Sequence, residues 1–131
     1  MNRYVDSTEQ LVIEIMVQDI QRSRRFYQSL GFQLLRDAND FVELTWEDHR
    51  LFLAELSAIH DRKIDETNLQ RPGFPIANVR VMVTDVDAFW KVANEIGAEV
   101  VMPIADRYYG LRDFTILDPD GFGIRFASNL K

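Results

Sequence analysis

Charged and amide side chains sit inside stretches that are otherwise apolar, and these are the first candidates for chemistry. LVIEIMV at 11–17 carries Glu14, and NVRVMV at 78–83 carries Asn78 and Arg80 beside Met82. FVELTW at 41–46 carries Glu43, and GIRF at 123–126 carries Arg125. A guanidinium presents a planar fork of donors that fits a carboxylate or phosphate, and a glutamate receives a cation or a hydrogen-bond donor. Phe41, Phe52 and Tyr109 add stacking faces. The set Glu14, Phe41, Glu43, Phe52, Asn78, Arg80, Met82, Tyr109 and Arg125 therefore reads as a ligand-binding face, because aromatic walls with a few polar groups are what a planar organic molecule requires. A Glu14–Arg80 ion pair that satisfies itself is the competing reading. No catalytic pair is visible: Ser7, Ser23, Ser29, Ser57 and Ser128 have neither a neighbouring His nor a glycine elbow, and phosphate-binding glycine motifs are missing. Glu14 as general acid or base, its pKa raised by burial, is the remaining catalytic option.

Those residues need strands to present them. Residues 11–17 read as a strand, Asp19 as a helix N-cap, Phe26 and Leu30 as the buried stripe of a helix, and Gly31 as its stop. Short apolar runs at 32–35, 41–46 and 51–56 follow, separated by polar turns, one of which holds His49. Residues 57–75, with His60, Pro72, Gly73 and Pro75, have the composition of a linker. The pattern then restarts: a strand over 79–83, Asp85 as N-cap, a stripe of Phe89, Val92, Ala93 and Ile96, the stop Gly97, and a strand over 100–102. Gly110 to Phe126 is a hairpin, since Asp118-Pro119-Asp120-Gly121 has the residue preferences of a type I turn. Between them PIADRYYG at 103–110 is expected to be a loop, either a lid that lays Tyr108 or Tyr109 on a ligand or a loop packing its own rings. Trp46 and Trp90 are assigned to packing.

Asp19 and Gly31 recur 66 residues later as Asp85 and Gly97, so the chain is a duplicated βαβββ unit. Module 1 spans about 8–56 and module 2 about 76–128, within one domain over 1–131. Alternation puts Val12, Glu14 and Met16, and equally Asn78, Arg80 and Met82, on one strand face, with Ile13, Ile15, Val79 and Val81 turned towards the helices. A cavity is expected between the halves.

At 131 residues with 47% hydrophobic and 27% charged side chains, the chain is an ordinary globular protein. A net charge of −6 argues against nucleic acid, and Arg22, Arg24 and Arg25 are expected on a solvated helix face. No apolar run is long enough to span a bilayer and the N-terminus lacks a signal-peptide core, so no membrane partner and a cytoplasmic location are expected. The lack of cysteine removes disulfides and thiolate chemistry.

The order Asp19, Phe26-Tyr27, Leu30-Gly31-Phe32, then Asp85-Val86-Asp87, then Gly110, Phe114 and Asp118-Pro119-Asp120-Gly121 resembles the vicinal oxygen chelate superfamily of glyoxalases, extradiol dioxygenases and bleomycin resistance proteins. The resemblance covers about residues 11–128. It implies an α+β fold in which paired βαβββ modules curve into a central cleft, often in a homodimer. It also implies metal ligands on the first and fourth strands of each module, which fall here on Val12, Phe52, Asn78 and Arg125, with Glu55 as another register for Phe52. Val and Phe cannot ligate and Arg has no lone pair to give, so the expectation is no metal and no cofactor. That departure, with the DFVELTWEDHRLFLAEL wording and YYG before LRDF, leans towards the metal-free bleomycin-resistance branch, which sequesters a small molecule. A metal-dependent lyase, isomerase or dioxygenase of the same superfamily is the first alternative, and a dimeric interaction module without a ligand the second.

Overall fold

Asp19 and Asp85 each end a strand and start a helix. The Asp19 carboxylate accepts from the Arg22 amide at 3.1 Å, and that of Asp85 from the Ala88 amide at 3.3 Å. Each helix ends at a glycine with positive φ, Gly31 at 113° and Gly97 at 69°. A side chain at Gly97 would meet nothing within 4 Å, so its backbone conformation alone explains the glycine. The structure, a computed structural model, describes residues 9–56 and 75–130. The expected linker apart from Pro75, His60, Ser7 and Ser57 lie outside the described residues.

The chain divides into two compact units, Met1–Asn68 and Leu69–Lys131, each holding one βαβββ module. The first contains β1 (Ile13–Val17), α1 (Ile20–Ser29), β2 (Gln33–Asp37), β3 (Phe41–Trp46) and β4 (His49–Glu55). The second contains β5 (Asn78–Met82), α2 (Val86–Glu95), β6 (Glu99–Asp106), β7 (Leu111–Leu117) and β8 (Gly123–Asn129). Each sheet is mixed, in the order β1-β4-β3-β2 and β5-β8-β7-β6, with the first strand of each module parallel to the fourth and the other pairs antiparallel. The α+β fold and the duplication are as the sequence predicts. No helix among the described residues is long and apolar enough to cross a membrane.

One face of each sheet is covered by its own helix. In α1 the buried positions are Ile20, Ser23 and Tyr27, followed by Leu30; Phe26, expected in the stripe, is half-buried. With the helix starting at Ile20, the 3.6-residue period brings Tyr27 rather than Phe26 onto the Ile20 side. The Tyr27 ring packs edge to face on Phe32 at 5.3 Å, and Phe32 on Trp46 at 5.1 Å. In α2 Phe89 stacks on Phe126 at 4.8 Å and Trp90 leans on Phe114 at 5.0 Å, whereas Ile96, at the C-cap, is exposed. Both tryptophans pack, as expected. Burying rings of this size contributes about 2–3 kcal/mol apiece.

The strand ends also serve the helices. Glu55, the last residue of β4, accepts from the Ile20 amide at 3.3 Å, and at the matching place on β8 the Ser128 hydroxyl accepts from the Val86 amide at 2.9 Å. Glu55 thus points to the helix side of its sheet, away from the face that carries Glu14 and Phe52. His49 opens β4 instead of standing in the turn, which is made by Glu47 and Asp48 with Glu47 at φ 52°.

The Asp118 turn forms as predicted. Gly121 donates to the Asp118 carbonyl at 3.0 Å, and the Asp118 carboxylate accepts from the amides of Asp120 at 2.9 Å and Phe122 at 2.8 Å. Gly123 is needed for a second reason: a Cβ there would stand 2.8 Å from the Asn78 Cβ and 2.9 Å from the Ala77 carbonyl oxygen, where β5 lies against β8.

Candidate ligand-binding site

The ladder registers place the predicted residues in two groups, one on each sheet. In the first module Glu14 pairs across with Phe52 and Phe52 with Glu43, while Met16 pairs with Ala54 and Ala54 with Phe41. Glu14, Phe41, Glu43 and Phe52 therefore share one face. In the second module Asn78 pairs with Gly123, Arg80 with Arg125 and Met82 with Ala127, so Asn78, Arg80, Met82 and Arg125 share the equivalent face.

The first group is largely closed. Phe41 and Phe52 are buried and meet edge to face at 5.3 Å. Glu43 is 1% exposed and its carboxylate is held by the Arg36 guanidinium at 2.8 Å. Glu14 is exposed, so the burial invoked to make it a general acid or base is not found.

The second group is organised around a residue absent from the sequence-based set. Asp113, on β7, is 2% exposed and lies on the same face as Arg125. Its Oδ1 accepts from Arg107 Nε at 2.8 Å; its Oδ2 accepts from Arg125 Nη2 at 2.6 Å, Arg125 Nε at 3.0 Å and the Tyr109 hydroxyl at 2.6 Å. The Tyr109 hydroxyl in turn accepts from Arg125 Nη2 at 2.9 Å. Burial by itself pushes the Asp113 carboxyl up, but the hydrogen bonds from Tyr109, Arg107 and Arg125 outweigh it and hold the group below the usual carboxylate range. The Tyr109 phenol is pushed up, first by its bond to Asp113 and then by burial, so it keeps its proton. Arg125 is therefore already committed to an internal carboxylate on one edge.

The turn that delivers Tyr109 is shorter than the expected loop. Pro103–Asp106 are the last residues of β6, which pairs with β7 through two register shifts. The chain then reverses over Arg107 to Gly110, with Arg107 donating to the Leu111 carbonyl at 2.7 Å and Gly110, at φ 93°, to that of Arg107 at 3.1 Å. Continuing the strand satisfies backbone groups that a lid would leave to water. Tyr108 at the tip is fully exposed and Tyr109 is half-exposed, their rings edge to face at 5.1 Å. Beside this turn an open pocket of about 670 Å³ is lined by Arg80, Met82, Tyr108, Tyr109, Leu111, Arg125 and Asn129. Of the predicted residues, Arg80, Met82, Tyr109 and Arg125 meet there; Asn78, on the same sheet face, is outside the lining. Asp113 is legible only by counting back from the Asp118 turn, which sets Thr115 opposite Arg125 and Asp113 on the same side; that count does not reach Arg107, which the turn after β6 delivers.

The positions at which the resemblance puts metal ligands do not supply them. Val12 and Phe52 have no donor atom, Arg125 is a cation bound to Asp113, and Asn78 offers one amide oxygen. Glu55, the other register, faces α1. Among the described residues no three His, Cys, Asp or Glu side chains converge as a metal site. The described residues at these positions do not fit a divalent ion.

Compared with known proteins, residues 9–126 match the family model of the Glyoxalase/Bleomycin resistance protein/Dioxygenase superfamily. A search of curated proteins finds no match. Among solved structures, a protein of unknown function from Agrobacterium tumefaciens str. C58 is 25% identical, with a TM-score of 0.75 over 98% of this chain and 100% of its own. TioX from Micromonospora sp. ML1 is 23% identical, with a TM-score of 0.70 over 93% and 99%. A glyoxalase/bleomycin resistance protein/dioxygenase family enzyme from Burkholderia phytofirmans PsJN is 22% identical, with a TM-score of 0.73 over 91% and 97%. The last two likenesses speak for the fold alone.

Proposed function

The chain belongs to the glyoxalase/bleomycin resistance protein/dioxygenase superfamily, and from that premise we propose that it binds a small planar organic molecule, without a metal, in the pocket of the second module. The observation that carries this reading is the lining itself. About 670 Å³ bounded by Tyr108, Tyr109, Met82 and Leu111, with Arg80, Arg125 and Asn129 as the polar groups, has the size and chemistry of a small-molecule site. Stacking on tyrosine gives area at small entropy cost, and the polar groups orient the ligand. The donor set at the family's metal positions supports binding without chemistry, as in the bleomycin-resistance branch, and a homodimer is the expected assembly.

The test is elemental analysis of protein incubated with Mn, Fe, Co, Ni and Zn and freed of loosely bound ion, joined to calorimetric titration with aromatic compounds before and after chelator treatment. We expect little retained metal and binding unchanged by the chelator. Stoichiometric metal that binding depends on would overturn the reading in favour of a lyase, isomerase or dioxygenase.

A further inference from the structure

Two arginines and no carboxylate line the second module's pocket, and the two are not equivalent. Arg125 directs Nε and Nη2 at Asp113 and Tyr109, which leaves the N–H groups of Nη1 without a partner among the described residues. Arg80 stands beside it on the parallel strand, their Cα atoms paired in the ladder and their side chains on one face. It is exposed and has no hydrogen bond or ion pair among the described residues. Like charges at paired positions of adjacent strands are unfavourable, and an anion between them would remove that cost. Asp113 does not fill that role for both, because it is shared by Arg125 and Arg107. Two arginines thus share one carboxylate, and Arg80 stands beside them without one, in a chain whose net charge is −6. This local excess of positive charge runs against the charge of the whole protein.

From this we infer that the ligand is an aromatic oxyanion, a ring bearing a carboxylate or phosphate group. Arg80 and the free edge of Arg125 take the anion, and Tyr108 and Tyr109 take the ring. The proposal rests on the small-molecule reading above and adds the charge of the ligand. Asp113 is a positioning residue: it orients the Arg125 fork while its own carboxylate is buried away from the ligand. A bidentate guanidinium contact is directional and strong, and a cationic drug would meet repulsion at the same place.

The experiment is calorimetric titration of the full chain with 2-naphthoate, 2-naphthyl phosphate, 2-naphthamide and 2-naphthylmethylammonium, repeated on Arg80→Ala and Arg80→Lys. We expect at least one of the anions to bind about tenfold or more tightly than the amide, since charge-assisted bonds are being exchanged for neutral ones. Arg80→Ala should bring the anion down to the level of the amide and leave the amide unchanged, and Arg80→Lys should recover only part of the difference. Arg80 is exposed, so neither variant endangers the fold. Equal affinity for anions and amide, preference for the ammonium compound, or anion binding indifferent to Arg80→Ala overturns the inference and leaves small-molecule binding standing. Anion binding that needs added divalent metal yet is still lost in Arg80→Ala overturns the metal-free reading and keeps the inference. Silence of all four compounds, with and without metal, removes both.

Discussion

The two modules carry the same ladder and opposite chemistry. The row Glu14–Phe52–Glu43 in the first corresponds to Arg80–Arg125–Thr115 in the second, and the row Met16–Ala54–Phe41 to Met82–Ala127–Asp113. A diagonal contact joins the two rows in each module. In the first it is Phe52 on Phe41, two rings at 5.3 Å that are both buried. In the second it is Arg125 on Asp113, an ion pair at 2.6 Å with a half-exposed tyrosine added to it. A ring contact finishes its business within the core, whereas a guanidinium has more donors than one carboxylate can use. Duplication thus supplied two equal scaffolds, and the residues at one diagonal decided that the first is filled by buried rings and the second is left as an open pocket.

Four substitutions sharpen the contrast. Phe41→Ala should have the largest effect, about 3–4 kcal/mol of stability lost, because it empties the buried diagonal of the first module. Urea unfolding measures it, and a loss below about 1 kcal/mol would mean that the ring lines open space after all. Asp113→Asn should follow at about 2–3 kcal/mol, somewhat under the ~3–5 for breaking a fully buried pair, since Arg107 and Arg125 retain some access to water. Its effect should depend on pH. The carboxyl is held below its unfolded value, so its contribution is complete above the ordinary range of about 4 and fades as the pH falls through the folded value. The wild-type advantage over Asp113→Asn, followed by urea unfolding from pH 7 downwards, should shrink only in acid; an advantage constant down to pH 2 would show that the carboxylate charge contributes nothing.

Gly123→Ala should cost about 1–2 kcal/mol, since its Cβ would collide with Asn78 and the Ala77 carbonyl. The equivalent residue of the first module is Arg50, which already carries a side chain. An unchanged denaturation midpoint would show that β5 yields as easily as β1. Arg80→Ala should change stability by less than about 0.5 kcal/mol, since the residue is exposed and has no partner among the described residues. A larger loss would assign Arg80 to the scaffold instead of the pocket.

Much of this was legible beforehand. The helix caps Asp19 and Asp85, the stops Gly31 and Gly97 and the Asp118 turn are local chemistry, written in residues that lie within a few positions of the backbone groups they satisfy. Period-two alternation likewise grouped Glu14 with Met16 and Arg80 with Met82, because strand geometry leaves little choice. The loop expected over 103–110 is shorter in the structure, since nothing in Pro103 to Asp106 marks a strand until β7 is there to pair with it. Tyr27 rather than Phe26 takes the stripe because the period has to be counted from Ile20, and the spacing of Phe26 and Leu30 does not reveal that starting point.

The sequence by itself determined the duplicated βαβββ plan and its turns, for these depend on local backbone preferences and on which atoms a side chain possesses. Only the tertiary structure decided who holds whom. Arg125 reaches Asp113 and Tyr109, Arg107 joins them and Arg80 is left to the pocket, because a long guanidinium chooses its partner by cross-strand register and turn length, and both are settled when the strands pair.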